Sequence, residues 1–133
     1  MENITSAPES KTILVVDDDE VILDLVSKIL AVDTRHNILT AASGAEALQQ
    51  SKNYKGEITL LLSDLQMPQM SGVQLATAMT IDRPQLKVLL MSGFTDGMLV
   101  LNEGWHFLNK PFVASQLRAL VVGLVFPDRA SKF

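Results

Sequence analysis

The strongest constraint in this chain is Thr12-Ile13-Leu14-Val15-Val16, followed at once by Asp17-Asp18-Asp19. A continuous apolar, β-branched run without polar alternation is the pattern of a strand buried on both faces, as in a parallel sheet covered by helices. The carboxylates fall where that strand must stop. Like charges so close together repel unless a cation or a proton intervenes, so packing alone does not account for them. The first reading is a divalent metal site, with Asp19 set aside as a helix cap.

The same arrangement recurs along the chain. Val21, Ile22, Leu25, Val26, Ile29 and Leu30 have helical spacing. Asn37–Ala41 is a weaker strand, and Ser43-Gly44-Ala45-Glu46 has the spacing of a capping box opening a short helix through Gln50. Ile58–Ser63 is a second strongly apolar strand, and it too ends in a carboxylate, Asp64. A loop, Met67–Gly72, leads to a helix that must end before Pro84. Lys87–Met91 is a third buried strand, ending in Ser92-Gly93; Met98–Leu101 suggests one or two helical turns; and His106–Asn109 is a last short strand before Lys110-Pro111. Val113, Leu117, Leu120, Val121 and Leu124 mark a final helix stopped by Pro127. Its tail, Leu120–Phe126, is too apolar for one buried stripe and is either a contact surface or a well-covered end.

Alternation of strand and helix predicts an α/β, doubly wound, five-stranded parallel sheet flanked by about five helices, with ligands bound beyond the carboxyl ends of the strands. The chain is 133 residues long, enough for one domain with a proper core. We expect a flexible lead-in over 1–10, the domain over 11–126 and a tail over 127–133. With no cysteine, disulfides, thiolate metal sites and thiol nucleophiles are excluded. A formal net charge of −4 without basic runs argues against nucleic acid as a partner. No stretch has the roughly 18 apolar residues of a membrane span, and the N-terminus lacks a signal-peptide pattern. A cytoplasmic protein with no membrane association is expected. His36 and His106 lack ligand spacing and read as packing or surface residues, and Trp105 reads as part of a packed turn.

Parallel topology would bring Asp17, Asp18, Asp64, Ser92 and Lys110 to one edge of the sheet. Carboxylate oxygens suit Mg²⁺ or Mn²⁺, and an ammonium and a hydroxyl suit phosphoryl oxygens. One carboxylate could then attack phosphorus and form an acyl phosphate.

In these motifs the chain resembles the receiver domains of two-component response regulators, the chemotaxis receivers among them. The resemblance rests on Ile13–Asp19, Leu62–Gly72, Met91-Ser92-Gly93 and Lys110-Pro111-Phe112, in that order, over about residues 11–126. It implies a flavodoxin-like strand order of 2-1-3-4-5 and a bacterial phosphorelay protein. Asp64 would be the phosphoacceptor, receiving the phosphoryl group from a phosphohistidine of a sensor histidine kinase or phosphotransfer protein. Asp18, Asp64 and the backbone carbonyl of Gln66 would hold Mg²⁺, with Asp17 acting mainly through a bound water. Ser92 and Lys110 would hold phosphoryl oxygens, and Lys110-Pro111 would be a cis bond. Ser92 and Phe107 would form the switch, with Phe107 lacking the hydroxyl of the tyrosine common at that position. Gln66 and Phe94 occupy positions that tune phosphoryl lifetime, and a bulky Phe94 implies a long one. The resemblance implies a phosphoacceptor rather than a turnover enzyme, a monomer or weak homodimer, and an output protein that the sequence does not name.

The interval from Ser92 to Lys110 is shorter than usual in the family by roughly one helical turn, so a shortened or irregular fourth helix is expected. Ser92-Gly93-Phe94 also resembles receivers within hybrid histidine kinases, whereas the starting Met1 favours a stand-alone protein. Asp17-Asp18-Asp19-Glu20-Val21 further fits the nucleophile motif of haloacid-dehalogenase-type phosphohydrolases, in which Asp17 and Asp19 would carry the chemistry. That reading leaves Asp64 without a role. A third is a receiver-like adaptor that takes no phosphate, against which the intact site residues argue.

Overall fold

The computed structural model describes residues 10–93 and 104–127. Five strands, β1 (Lys11–Val16), β2 (His36–Ala41), β3 (Leu60–Asp64), β4 (Lys87–Ser92) and β5 (Trp105–Asn109), pair in the order β2-β1-β3-β4-β5. Every pairing is parallel. Among the described residues there are four helices, α1 (Glu20–Ala31), α2 (Gly44–Asn53), α3 (Gly72–Asp82) and α4 (Ala114–Val125). Residues 94–103, which carry Phe94 and the turns expected at Met98–Leu101, lie outside the described residues.

Two apolar layers follow from alternation along the central strands. Ile13 and Val15 of β1, with Leu60 and Leu62 of β3, face Val26 and Leu30 of α1 and Leu117, Val121 and Val125 of α4. Leu14, Val16 and Leu61 face Ala47 of α2 and Leu75, Ala76 and Met79 of α3. The central strands are therefore unbroken aliphatic runs, because neither face meets water.

Local chemistry sets the helix starts. The Asp19 carboxylate accepts hydrogen bonds from the amides of Val21 and Ile22 and caps α1. Ser71 and Gln74 form a complete capping box at α3. At α2 the Ser43 hydroxyl accepts from the Glu46 amide, but the Glu46 carboxylate reaches back to the amide of Ala42 rather than to that of Ser43.

Some boundaries move, for tertiary reasons. The helix expected to end at Gln50 continues to Asn53. The Arg83 guanidinium donates to the Ser51 hydroxyl (3.0 Å) and to the carbonyls of Ser51 (2.8 Å), Tyr54 (3.0 Å) and Gly56 (3.0 Å), closing the carbonyl end of α2 from the far end of α3. The apolar tail of α4 is a covered end. Phe126 is 4% exposed, with the Arg35 guanidinium 4.1 Å from its ring centroid and the His36 ring stacked beside it at 18°. His36 is thus a buried packing residue, while His106 lies exposed on β5. Trp105 opens β5 directly after Gly104, whose φ of +91° makes the turn.

Candidate phosphoacceptor site at the carboxyl edge of the sheet

Strand register explains why residues so far apart in sequence meet. Val16 lies opposite Ser63, Asp64 opposite Met91, and Ser92 opposite Asn109, so β1, β3, β4 and β5 all end at one edge. One residue beyond Val16 is Asp17, and one beyond Asn109 is Lys110. The amide of Lys110 donates to the carbonyl of Ser92 (2.8 Å), fixing the backbone of one candidate to that of another. The Lys110–Pro111 bond is cis.

Asp17, Asp18 and Asp64 each offer a carboxylate oxygen within 4.8 Å of the others. Their exposures differ: Asp17 is 0% exposed, Asp64 is half-buried and Asp18 is exposed. The Asp17 Oδ1 accepts from the Asp19 amide (2.9 Å). Its Oδ2 is buried without a hydrogen-bond donor. The Lys110 ammonium stands 3.5 Å from that oxygen, within ion-pair range, and 3.4 Å from the Asp64 Oδ1. Burial raises the Asp17 carboxyl above its ordinary range; the Asp19 amide and Lys110 pull it down, while Asp64 and Asp18 push it up further.

An orphaned buried carboxylate oxygen, two neighbouring carboxylates and an all-oxygen donor set fit a hard divalent cation of the Mg²⁺ or Mn²⁺ kind.

Ser92 is buried at the end of β4. Phe107, opposite Leu90 in β5, is half-buried against the α2–α3 layer. Gln66 is exposed in the loop after β3. Asp19 is held by its capping role, which removes its side chain from the centre. The structure therefore brings together Asp17, Asp18, Asp64 and Lys110, with Ser92 joined through the backbone. Of the lifetime-tuning pair, Phe94 lies outside the described residues. Two residues that sequence reasoning did not single out, Ser63 and Gly72, lie against the Asp64 backbone. Their signal was a hydroxyl closing an aliphatic run and a glycine opening a helix.

A family model described as "Response regulator receiver domain" matches residues 13–122. The chain belongs to the response regulator receiver domain family. Among relatives of this receiver, the Sensor kinase CckA of Brucella abortus (strain 2308) is 30% identical over 126 residues, covering 91% of this chain and 13% of that kinase. A CheY-like response regulator receiver domain protein from Methanospirillum hungatei JF-1 superposes with a TM-score of 0.79 at 28% identity, covering 92% of this chain and 98% of that one. The receiver domain of the hybrid histidine kinase CckA gives a TM-score of 0.75 at 28% identity, covering 86% and 98%. The receiver spans 8% to 49% of the length of such curated relatives. No described helix is long and apolar enough to cross a membrane.

Proposed function

We propose that this receiver accepts a phosphoryl group on Asp64 from the phosphohistidine of a sensor histidine kinase or phosphotransfer protein, in a Mg²⁺-dependent reaction, and signals to a partner by a change of conformation. The observation that carries this reading is the Lys110 ammonium standing between the carboxylates of Asp17 and Asp64, beside a buried Asp17 oxygen that lacks a donor.

In the transfer, an Asp64 carboxylate oxygen forms the new bond to phosphorus as the phosphorus–nitrogen bond breaks. The departing imidazole keeps the electron pair and takes up a proton. Lys110 already faces Asp64 and can follow the charge onto a phosphoryl oxygen, leaving the carboxylate free to react. Ser92, at the neighbouring strand end, can donate a hydrogen bond to another phosphoryl oxygen. Asp17, Asp18, Asp64 and the Gln66 carbonyl would hold the metal, which offsets the charge that carboxylates and phosphoryl group bring together. Movement of Ser92 toward the phosphoryl group would open room for Phe107 to rotate inward, the switch by which an output protein is selected.

The partner's approach is favoured by an apolar groove of about 360 Å³ beside the site, lined by Ile22 and Leu25 of α1 and by Lys110, Pro111 and Phe112. Val21, 74% exposed, extends the apolar surface along α1. An apolar helix face of a kinase or phosphotransfer protein would cover this surface while presenting its histidine to Asp64.

Acetyl phosphate with Mg²⁺ should add the mass of one phosphoryl group, and Asp64→Asn should abolish the addition. No mass change with acetyl phosphate, phosphoramidate or a cognate kinase would overturn the proposal. A phosphohydrolase acting through Asp17 and Asp19 would instead turn over phosphomonoesters after Asp64→Asn. The match to CckA favours a second setting, in which the receiver works as one module of a hybrid sensor kinase and passes its phosphoryl group onward.

A further inference from the structure

Ser63 stands out in β3. It is fully buried, and its neighbours across the sheet are Val16 on one side and Leu90 on the other, both fully buried and both in the α2–α3 layer. At a position flanked in this way, an aliphatic side chain would bury more apolar surface than a hydroxymethyl group. The hydroxyl must therefore be satisfied inside the core. It donates to the carbonyl of Asp64 (2.9 Å).

Gly72 reaches the same carbonyl from the other direction. A Cβ on Gly72 would collide with the Asp64 carbonyl oxygen and stand 3.1 Å from both the Leu65 Cα and the Leu90 Cδ2. Positive φ is not the reason for a glycine here, since among the described glycines only Gly104 has one. What the position requires is the missing side chain, which lets the first turn of α3 rest on the Asp64–Leu65 peptide. The Gly72 amide donates to the Leu65 carbonyl (2.8 Å), and the Leu65 amide donates to the Met91 carbonyl (2.8 Å). The peptide unit after Asp64 is thus held by a side-chain hydroxyl, by the neighbouring strand and by the start of a helix.

We propose that Ser63 and Gly72 are positioning residues for phosphoryl acceptance. By clamping the Asp64–Leu65 peptide they set the direction of the Asp64 carboxylate and its spacing from the Gln66 carbonyl, and so govern metal affinity and transfer rate without touching either ligand. The inference rests on the reading of Asp64 as phosphoacceptor. The arrangement follows the logic by which groups behind the direct ligands orient them, where substitution typically costs about 10–100-fold in affinity or activity. A small displacement of a reacting carboxylate has a comparable effect on rate.

The test compares Ser63→Ala, Ser63→Thr and Gly72→Ala with the wild type and with Val121→Ala, a core change in α4 away from the site. Mg²⁺ affinity is measured by calorimetry without phosphodonor, phosphorylation by acetyl phosphate by mass, and folding by thermal unfolding. Ser63→Ala should weaken Mg²⁺ binding and slow phosphorylation by about tenfold, Gly72→Ala by about tenfold or more, and Ser63→Thr, which keeps the donor, should stay nearer the wild type than Ser63→Ala. Val121→Ala should lower the unfolding midpoint while leaving Mg²⁺ affinity in place. If Gly72→Ala does not fold, Ser63→Ala decides alone. A folded Ser63→Ala protein with wild-type Mg²⁺ affinity and wild-type phosphorylation would overturn the inference. Failure of the wild type itself to bind Mg²⁺ or take phosphate would instead count against the assignment of Asp64.

Discussion

The two ends of the sheet treat charge in opposite ways. At the amino edge every named charge is spent on holding elements together. Arg83 closes the end of α2 with four hydrogen bonds. The Lys87 ammonium donates to the Leu124 carbonyl of α4 (2.7 Å). Arg35 makes a forked pair with Asp33, at 2.9 and 2.6 Å, and covers Phe126. At the carboxyl edge, three carboxylates crowd together, two of them against one ammonium, and a buried oxygen has no hydrogen-bond donor. The first end is built for stability. The second carries electrostatic strain that a cation and a phosphoryl group would relieve, so its charges are held ready rather than satisfied.

Substitutions at the two ends should therefore move stability and chemistry separately. The largest stability effect is expected for Arg83→Ala, which leaves the carbonyls at the end of α2 and the hydroxyl of the buried Ser51 without their donor. We expect a loss of about 2–4 kcal/mol in urea denaturation, with phosphorylation by acetyl phosphate retained. Arg83→Lys should recover only part of the loss, because an ammonium cannot reproduce the planar fork. Loss of phosphorylation in a folded Arg83→Ala protein would show that the two ends are coupled.

Asp17→Asn should do the reverse. It removes a buried charge whose carboxyl is raised by burial and by its acidic neighbours, so the metal-free fold should gain stability, read as a rise of a few degrees in unfolding midpoint. The same substitution should abolish the rise in midpoint that Mg²⁺ gives the wild type. That rise should itself shrink as pH falls through the elevated Asp17 range, because protons then compete with the cation for the same oxygens. A metal-free Asp17→Asn protein less stable than the wild type would mean that the Lys110–Asp17 attraction outweighs the cost of burying the carboxylate.

The ends of the molecule also differ in how far they can be read from sequence. At the carboxyl edge the sequence signal is local and repeated: an aliphatic run stops at Asp17, another at Asp64, a third at Ser92. Parallel topology then aligns the stops without further information, and the Asp19 cap follows from its place before the first helical residue. The amino edge depends on long-range partners. Nothing near Ser51 announces that Arg83, 32 residues away, will extend α2 past Gln50, and nothing in the tail of α4 reveals that Arg35 and His36 will cover Phe126. Ser63 and Gly72 fall between these cases. Both stand inside the motif Leu62–Gly72, yet their role depends on how closely the start of α3 approaches the Asp64–Leu65 peptide, and periodicity carries no information about that distance.

The smallest effect is expected from pH at the amino edge. Burial lowers the His36 imidazole below its ordinary value of 6.5; Asp33 pulls it back up and Arg35 adds to the lowering. The groups facing it are Asp33, whose Oδ2 lies 3.8 Å from Nε2, the Arg35 guanidinium and the Phe126 ring. Because the folded protein takes this proton less readily than the unfolded chain, its contribution to stability is fully present above the ordinary value and is lost as pH falls below it. The loss should stop once pH drops below the folded-state value. Asp33, held well below the usual carboxylate range chiefly by its hydrogen bond from Arg35, stays ionised throughout that interval and does not contribute to the change. His36→Gln, with an amide that does not titrate, should remove the pH dependence of the unfolding midpoint in this window, while Asp17→Asn should leave it in place. Persistence of that dependence in His36→Gln would move its origin to the carboxyl edge and erase the contrast between the two ends.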